Sequence, residues 1–207
     1  MDVSSVLLVI DVQNDFLPGG ALAVPRGDDV IPVINALAPK FANVLFTQDW
    51  HTPGHVSFAS SHAGAKPFDL IELPYGKQVL WPDHCVQGTR GAAFADALDI
   101  TQAQAVIRKG FHRHTDSYSA FIEADRKTST GLAGLLRERG ITRVYCCGVA
   151  TDFCVAWSAH DAKAAGFETF VIEDACRAID AGGSLAQARQ RLADAGVGFV
   201  ASTTLRA

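Results

Sequence analysis

Short apolar runs alternate along the chain with longer segments in which apolar residues recur at helical spacing. Six runs, at 6–12, 43–48, 105–108, 144–147, 168–172 and 198–201, read as strands. Most are apolar on both faces, the pattern of parallel strands covered by helices on each side. Between them, segment 28–40 carries Ile31, Ile34, Leu37 and Ala38 on one helical face. Segment 129–139 carries Leu132, Leu135 and Leu136, with Gly140 as a stop, and segment 151–165 carries Val155, Ala159 and Ala162. Ser184 and Gln187 form a candidate capping box for a helix through Leu185, Ala188 and Leu192. This alternation predicts an α/β fold: one three-layer α/β/α domain over residues 1–207 with a mainly parallel six-stranded sheet.

Two stretches, 49–98 and 109–128, break the rhythm. Long irregular loops in compact domains are usually functional, and an open parallel sheet binds ligands at the carboxyl ends of its strands. Asp11, Asp49, Lys109 and Gly148 all fall at such ends. Four predicted strands thus deliver polar or turning residues to one rim.

The chemistry on that rim centres on Cys154. The residues Cys146-Cys147-Gly148-Val149-Ala150-Thr151-Asp152-Phe153-Cys154 read as a strand, a break and a helix start, with Thr151 or Asp152 as the N-cap. Cys154 then lies in the first helical turn, where the helix dipole lowers a thiol pKa toward neutrality and free backbone N–H groups can hold an oxyanion. A buried structural cysteine is the alternative. Asp11, opening Asp-Val-Gln-Asn-Asp-Phe, is either an acid–base carboxylate or an Asx cap. Lys109 either extends its ammonium to the rim or favours the Cys154 thiolate, and spacing does not choose. Asp49 and His51 alternate in an extended segment, with His55 and His84 downstream. One carboxylate and two imidazoles with positions left open for water describe a catalytic site for zinc, iron or manganese. His62, His112, His114 and His160 have no comparable context and read as surface residues.

Bulk composition narrows the classes. A net charge of −4 gives no reason to expect nucleic acid or an anionic membrane as partner. No apolar run approaches membrane-spanning length, and the run 6–10 is too short for a signal-peptide core. Five cysteines, an odd number, read as reduced thiols in a cytoplasmic protein, with Cys146 and Cys147 as packing residues. Cys85 and Cys176 lack zinc-ribbon spacing.

In order, the chain contains Asp-Val-Gln-Asn-Asp-Phe, Gln-Asp-Trp-His, Trp-Pro-Asp-His-Cys, Lys-Gly, Asp-Ser-Tyr-Ser-Ala-Phe and Gly-Val-Ala-Thr-Asp-Phe-Cys. Together these resemble the nicotinamidases of the isochorismatase-like cysteine hydrolase superfamily, from Val6 to past Asp174. The resemblance implies hydrolysis of nicotinamide to nicotinate and ammonia through a cysteine thioester, in NAD salvage, with pyrazinamide as an alternative substrate. It implies Cys154 as nucleophile, Asp11 as base and acid, and Lys109 as the third catalytic residue. The metal ligands would be Asp49, His51 and His84, with His55 either a further ligand or a partner of a metal-bound water. The ion would be one divalent metal, zinc first, then iron or manganese. Phe16 and Trp81 would flank the pyridine ring and Tyr118 would close the pocket. The resemblance also implies a cis Val149–Ala150 peptide, with the Ala150 and Cys154 amides as oxyanion hole. The partner is a small molecule, and a homo-oligomer is left open. Hydrolases of N-carbamoyl amides or ureidoacrylate share the Asp, Lys and Cys pattern but lack the full metal set. Isochorismate hydrolysis, on a vinyl ether, has no use for a metal here, and a metal- or redox-sensing role leaves Asp11 and Lys109 unexplained.

Overall fold

The computed structural model describes residues 1–206. All six predicted strands form and pair into one sheet: β1 (Ser5–Ile10), β2 (Asn43–Asp49), β5 (Ala105–Lys109), β6 (Arg143–Val149), β7 (Glu168–Arg177) and β8 (Gly198–Val200). Every pair is parallel, in the order β5-β2-β1-β6-β7-β8. Every residue of β1 is buried, which requires cover on both sheet faces and explains its unbroken apolar run. The helices α1 (Val30–Leu37), α2 (Leu132–Glu138), α3 (Ala156–Ala164) and α4 (Ser184–Asp194) lie where the periodicity puts them, with short 3-10 turns flanking α1. They turn Ile34, Leu37, Leu132, Leu136, Ala159, Ala162 and Leu192 into a single apolar cluster with the sheet.

The strand order places the site. The chain runs outward from β1 to β2 and β5, then returns to add β6 on the other side of β1. The loops leaving β1 and β6 therefore diverge, opening a crevice at the switch point. Gly148, at φ +116°, lets β6 pass β1 there, because a Cβ would lie 2.1 Å from the Ile10 carbonyl oxygen.

Segment 49–98 is less irregular than its pattern suggests. It contains an antiparallel hairpin, β3 (Leu70–Leu73) and β4 (Gly76–Val79). Leu70 is exposed and Ile71 half-buried, so apolar residues stand on both faces and no apolar–polar alternation marked the strand. Both predicted caps also differ. The N-cap before Cys154 is Ala150, and that of α4 is Gly183; neither makes a side-chain cap bond. Instead the two expected cap residues satisfy each other: the Ser184 hydroxyl donates to Asp152 Oδ2 at 2.5 Å. Among the described residues, no helix is long and apolar enough to cross a membrane.

Candidate active site

Four adjacent strands each deliver one group to a buried cluster at the carboxyl edge: Lys109 from β5, Asp49 from β2, Asp11 after β1 and Cys154 after β6. Parallel register puts Asp49 directly beside Lys109. Asp11 takes a left-handed conformation, φ +52°, which short polar side chains tolerate better than most. Thr47, two residues before Asp49 on the same strand face, fixes it twice. The Thr47 hydroxyl accepts the Asp11 N–H at 3.1 Å and donates to Asp11 Oδ1 at 2.5 Å.

Lys109 is fully buried. Its Nζ lies 2.8 Å from Asp11 Oδ2, 3.0 Å from Asp49 Oδ1, 3.0 Å from the Ser117 carbonyl and 3.4 Å from Cys154 Sγ. An ammonium has three hydrogens, so the three oxygens can take them all and the sulfur is left with the field of the charge. Burial alone would lower the Lys109 pKa, but the Asp11 and Asp49 carboxylates outweigh it and hold the ammonium charged.

The two carboxylates are driven apart. Burial raises the Asp11 pKa more than Lys109 lowers it. Burial also opposes ionisation of Asp49, but His51 and Lys109 overcome it and hold Asp49 well below the usual range. A pair split in this way assigns a proton carrier and a permanent anion. Cys154 departs from the sequence expectation. Burial raises its thiol well above the ordinary value, Lys109 lowers it, and Asp11 and Asp49 raise it further. Burial thus favours the thiol over the dipole-stabilised thiolate that the turn suggests.

The turn carrying Cys154 is a π turn, Thr151–Val155. The Ala150 carbonyl accepts from the Phe153 and Val155 N–H groups, both at 3.1 Å, and passes over the Cys154 amide between them. The Val149–Ala150 peptide is cis.

Asp49 also faces the histidines. Its Oδ2 lies 3.0 Å from His51 Nε2 and 3.5 Å from His84 Nε2, and the ligand atoms of all three residues lie within 4.8 Å of one another. The opposite ring nitrogens are tied to carbonyls: His51 Nδ1 to Gly110 at 2.8 Å and His84 Nδ1 to Pro82 at 2.8 Å. Carbonyls accept only, so both Nδ1 atoms carry hydrogen, and in the neutral rings both Nε2 lone pairs face the carboxylate. Lone pairs aimed at an anion call for a cation, and this carbonyl-anchored arrangement is the one metal-binding histidines use. Gly110, at φ +66°, is needed for it, since a Cβ would meet His51 Cε1 at 2.6 Å.

His55 packs against His51 with ring centroids 4.3 Å apart and ring planes tilted by 37°. Its nitrogens are committed elsewhere: Nε2 donates to the His112 carbonyl at 3.0 Å, and Nδ1 is 2.8 Å from Ser57 Oγ. Burial and the neighbouring His51 bring its pKa down to about 4. Its ligand atom also lies within 4.8 Å of those of His51 and Asp116, a second group that could hold a metal ion beside Asp49, His51 and His84. Of the histidines read as surface residues, His112 and His114 are exposed, while His62 and His160 are half-buried.

Above the cluster lies a small pocket. Phe16, Trp81 and Tyr118 line it, as do Asp49, His51, His84, Ala150 and Cys154. Trp81 and Phe153 meet edge-on with centroids 5.0 Å apart, and the Trp81 indole N–H donates to the Tyr118 hydroxyl at 3.0 Å.

The pattern of the isochorismatase domain matches residues 5–204. The chain belongs to the isochorismatase family. The nicotinamidase of Acinetobacter baylyi is 59% identical over 199 residues, covering 96% of this chain and 93% of that protein. Among solved structures, the nicotinamidase/pyrazinamidase of Acinetobacter baumanii superposes with TM-score 0.98 at 58% identity, covering 99% of both chains. PnC1 of L. infantum in complex with nicotinate gives TM-score 0.86 at 40% identity, covering 98% of this chain and 96% of that one. The pyrazinamidase of Pyrococcus horikoshii in complex with zinc gives 0.78 at 36%, covering 96% and 99%.

Within this isochorismatase-family site, sequence reasoning missed several residues. Gln13 clamps Asp49: its Nε2 donates to the Asp49 carbonyl at 2.8 Å and its Oε1 accepts the Asp49 N–H at 2.7 Å. Thr47 was legible from strand alternation with Asp49. Asp116 lines the pocket and is anchored by the Ser117 N–H and Gln78 Nε2, both at 2.8 Å. It lies in a segment with no periodicity. Leu22, Phe153 and Ile179 complete the apolar lining.

Proposed function

We propose that this protein hydrolyses nicotinamide to nicotinate and ammonia, with Cys154 as nucleophile, in NAD salvage, and that pyrazinamide is an alternative substrate. The observation that carries this is the double engagement of Asp49. One oxygen meets Lys109 in the nucleophile cluster and the other meets His51 and His84. A thiol site and a metal site thus share one carboxylate beneath one aromatic pocket. A flat heteroaromatic carboxamide uses both halves. The nicotinamidase relatives and the nicotinate-bound neighbour support the same reading.

The residues divide the chemistry. The thiol passes its proton to Asp11 as Sγ bonds to the carboxamide carbon. The Ala150 and Cys154 N–H groups hold the oxyanion; each such donor is worth about 3 kcal/mol. As the C–N bond breaks, Asp11 returns the proton to the leaving nitrogen, and ammonia departs from a thioester. Water then gives its proton to Asp11 and its oxygen to the acyl carbon, and the sulfur recovers a proton as nicotinate leaves. Lys109 keeps Asp11 and Cys154 in register and holds positive charge beside the sulfur. Asp49, His51 and His84 would hold one divalent ion, zinc being our assignment on the donor set, which supplies a Lewis acid for the ring nitrogen or its bound water. Phe16, Trp81 and Tyr118 clasp the ring, and His55 serves as a prop for His51. Buried, unpaired cysteines suit a reducing, cytoplasmic setting. Nothing in the chain calls for nucleic acid or membrane.

Incubation with nicotinamide, with and without chelator, tests the reading. Ammonia and nicotinate should appear in equal amounts and cease after chelation. Absence of nicotinate from the metal-loaded protein would refute it. His51→Ala and His84→Ala should each lose bound metal by elemental analysis; stoichiometric metal in both variants would refute the ligand set. The same measurement should fall with acidification. Burial lowers the His51 pKa, but the Asp49 carboxylate outweighs it and raises the net value above 6.5. Protons therefore compete for Nε2 at higher pH than for a free histidine, and metal should be lost as pH falls through that range. Retention that does not vary with pH would count against His51.

A further inference from the structure

Ile179 lines the pocket from a loop with little apolar anchoring of its own. Asp180, Ala181, Gly182 and Gly183 are exposed, and Asp180, Gly182 and Gly183 have left-handed φ values of 53°, 61° and 84°. The loop is instead held by Asp152, a buried carboxylate. It accepts the Ile179 N–H at 3.1 Å, the Asp180 N–H at 2.8 Å and the Ser184 hydroxyl at 2.5 Å. Two consecutive backbone N–H groups converging on one anion form a nest, and bonds to an ionised acceptor are about twice as strong as neutral ones. Asp152 belongs to the π turn that carries Cys154. The wall that Ile179 supplies is thereby fixed relative to the nucleophile by a tie independent of the Asp11–Lys109–Asp49 cluster.

We propose, resting on the nicotinamide reading above, that Ile179 is a specificity-determining residue that closes the pocket against the pyridine ring, and that Asp152 is the positioning residue that sets it there. Ile179 and Leu22 are the aliphatic side chains of a lining otherwise built from aromatic, polar and small residues. An aliphatic wall gives an added ring substituent no hydrogen bond and occupies the space it would need. The substrate class is then the unsubstituted flat heteroaromatic carboxamide, and ring-alkylated analogues are excluded by the Ile179 wall.

The test compares nicotinamide with methylnicotinamides substituted at each free ring carbon, in metal-loaded wild type, Ile179→Ala, Asp152→Asn and Ser184→Ala. One extra or missing methylene in an apolar pocket changes discrimination by roughly 10–200-fold. Ile179→Ala should raise KM for nicotinamide about tenfold with kcat within about threefold, and should raise the relative kcat/KM of at least one methyl analogue about tenfold. Asp152→Asn should shift selectivity the same way and speed hydrogen exchange at amides 179 and 180 while the sheet stays protected. Ser184→Ala, which removes one donor, should do so more weakly, and it stands in if Asp152→Asn does not fold. Unchanged selectivity in Ile179→Ala would overturn the specificity role. Loss of kcat at constant KM, or unchanged exchange at 179 and 180 in both loop variants, would overturn the positioning role. A wild type inactive on nicotinamide refutes the function instead, and the exchange measurement still judges the tie.

Discussion

Replacing Cys154 with alanine is expected to abolish ammonia release, lowering kcat by at least about 10⁴-fold, the scale of loss when a nucleophile is removed. The fold should survive. Cys154 is buried, and deleting one sulfur from such a site costs about 1 kcal/mol. Metal content should not change, because Cys154 belongs to neither group of residues that could hold a metal ion. Cys154→Ser should be nearly as inactive, since a hydroxyl is a harder group for Asp11 to deprotonate than a thiol. Trapping the acyl-enzyme by acid quench and intact mass spectrometry should give the adduct in wild type and none in either variant. Ammonia release by Cys154→Ala at the wild-type rate would sink the nucleophile assignment.

Replacing Lys109 with methionine should have the second largest effect, on stability as well as on rate. The side chain is fully buried and its ammonium is the cation between Asp11 and Asp49. Removing one partner from a buried ion pair costs about 3–5 kcal/mol, because the remaining charge stays desolvated. Urea denaturation of metal-free protein should show that loss, and added metal should recover part of it by neutralising Asp49. The thiol should also become harder to ionise, because Lys109 lowers its pKa against burial and both carboxylates. Alkylation of Cys154 by iodoacetamide at neutral pH should slow accordingly. An unchanged pH profile of alkylation would make Lys109 a structural cation only.

The ease with which the site was read depended on how local its determinants were. Cys154, Asp11, Asp49 and Lys109 each follow an apolar run closely enough to be assigned to a strand end from pattern alone. His51 follows from alternation with Asp49. The caps show where locality fails. Thr151 or Asp152, and Ser184 with Gln187, carry the right residue types at the right spacing for helix starts. Yet Asp152 and Ser184, 32 residues apart, bond to each other. A charged acceptor facing a half-buried hydroxyl and two free N–H groups outcompetes a local cap. The hairpin β3–β4 escaped for a related reason: its exposed positions include the apolar Leu70, so the sequence carries no clean alternation. Asp116 and Gln78 reach the site only because loops fold back over the sheet edge.

By itself the sequence determined the alternation of strands and helices, the parallel sheet and the residues that could carry chemistry, because burial periodicity and strand-end placement are written residue by residue. Strand order, and with it the meeting of Lys109, Asp49, Asp11 and Cys154 on four neighbouring strands, belonged to the tertiary structure alone. So did the protonation chemistry. A first-turn cysteine reads as a low-pKa thiolate, but burial and two carboxylates make it a thiol that needs a base. Desolvation and the sign of nearby charge depend on every group within a few ångströms, and those groups come from distant parts of the chain.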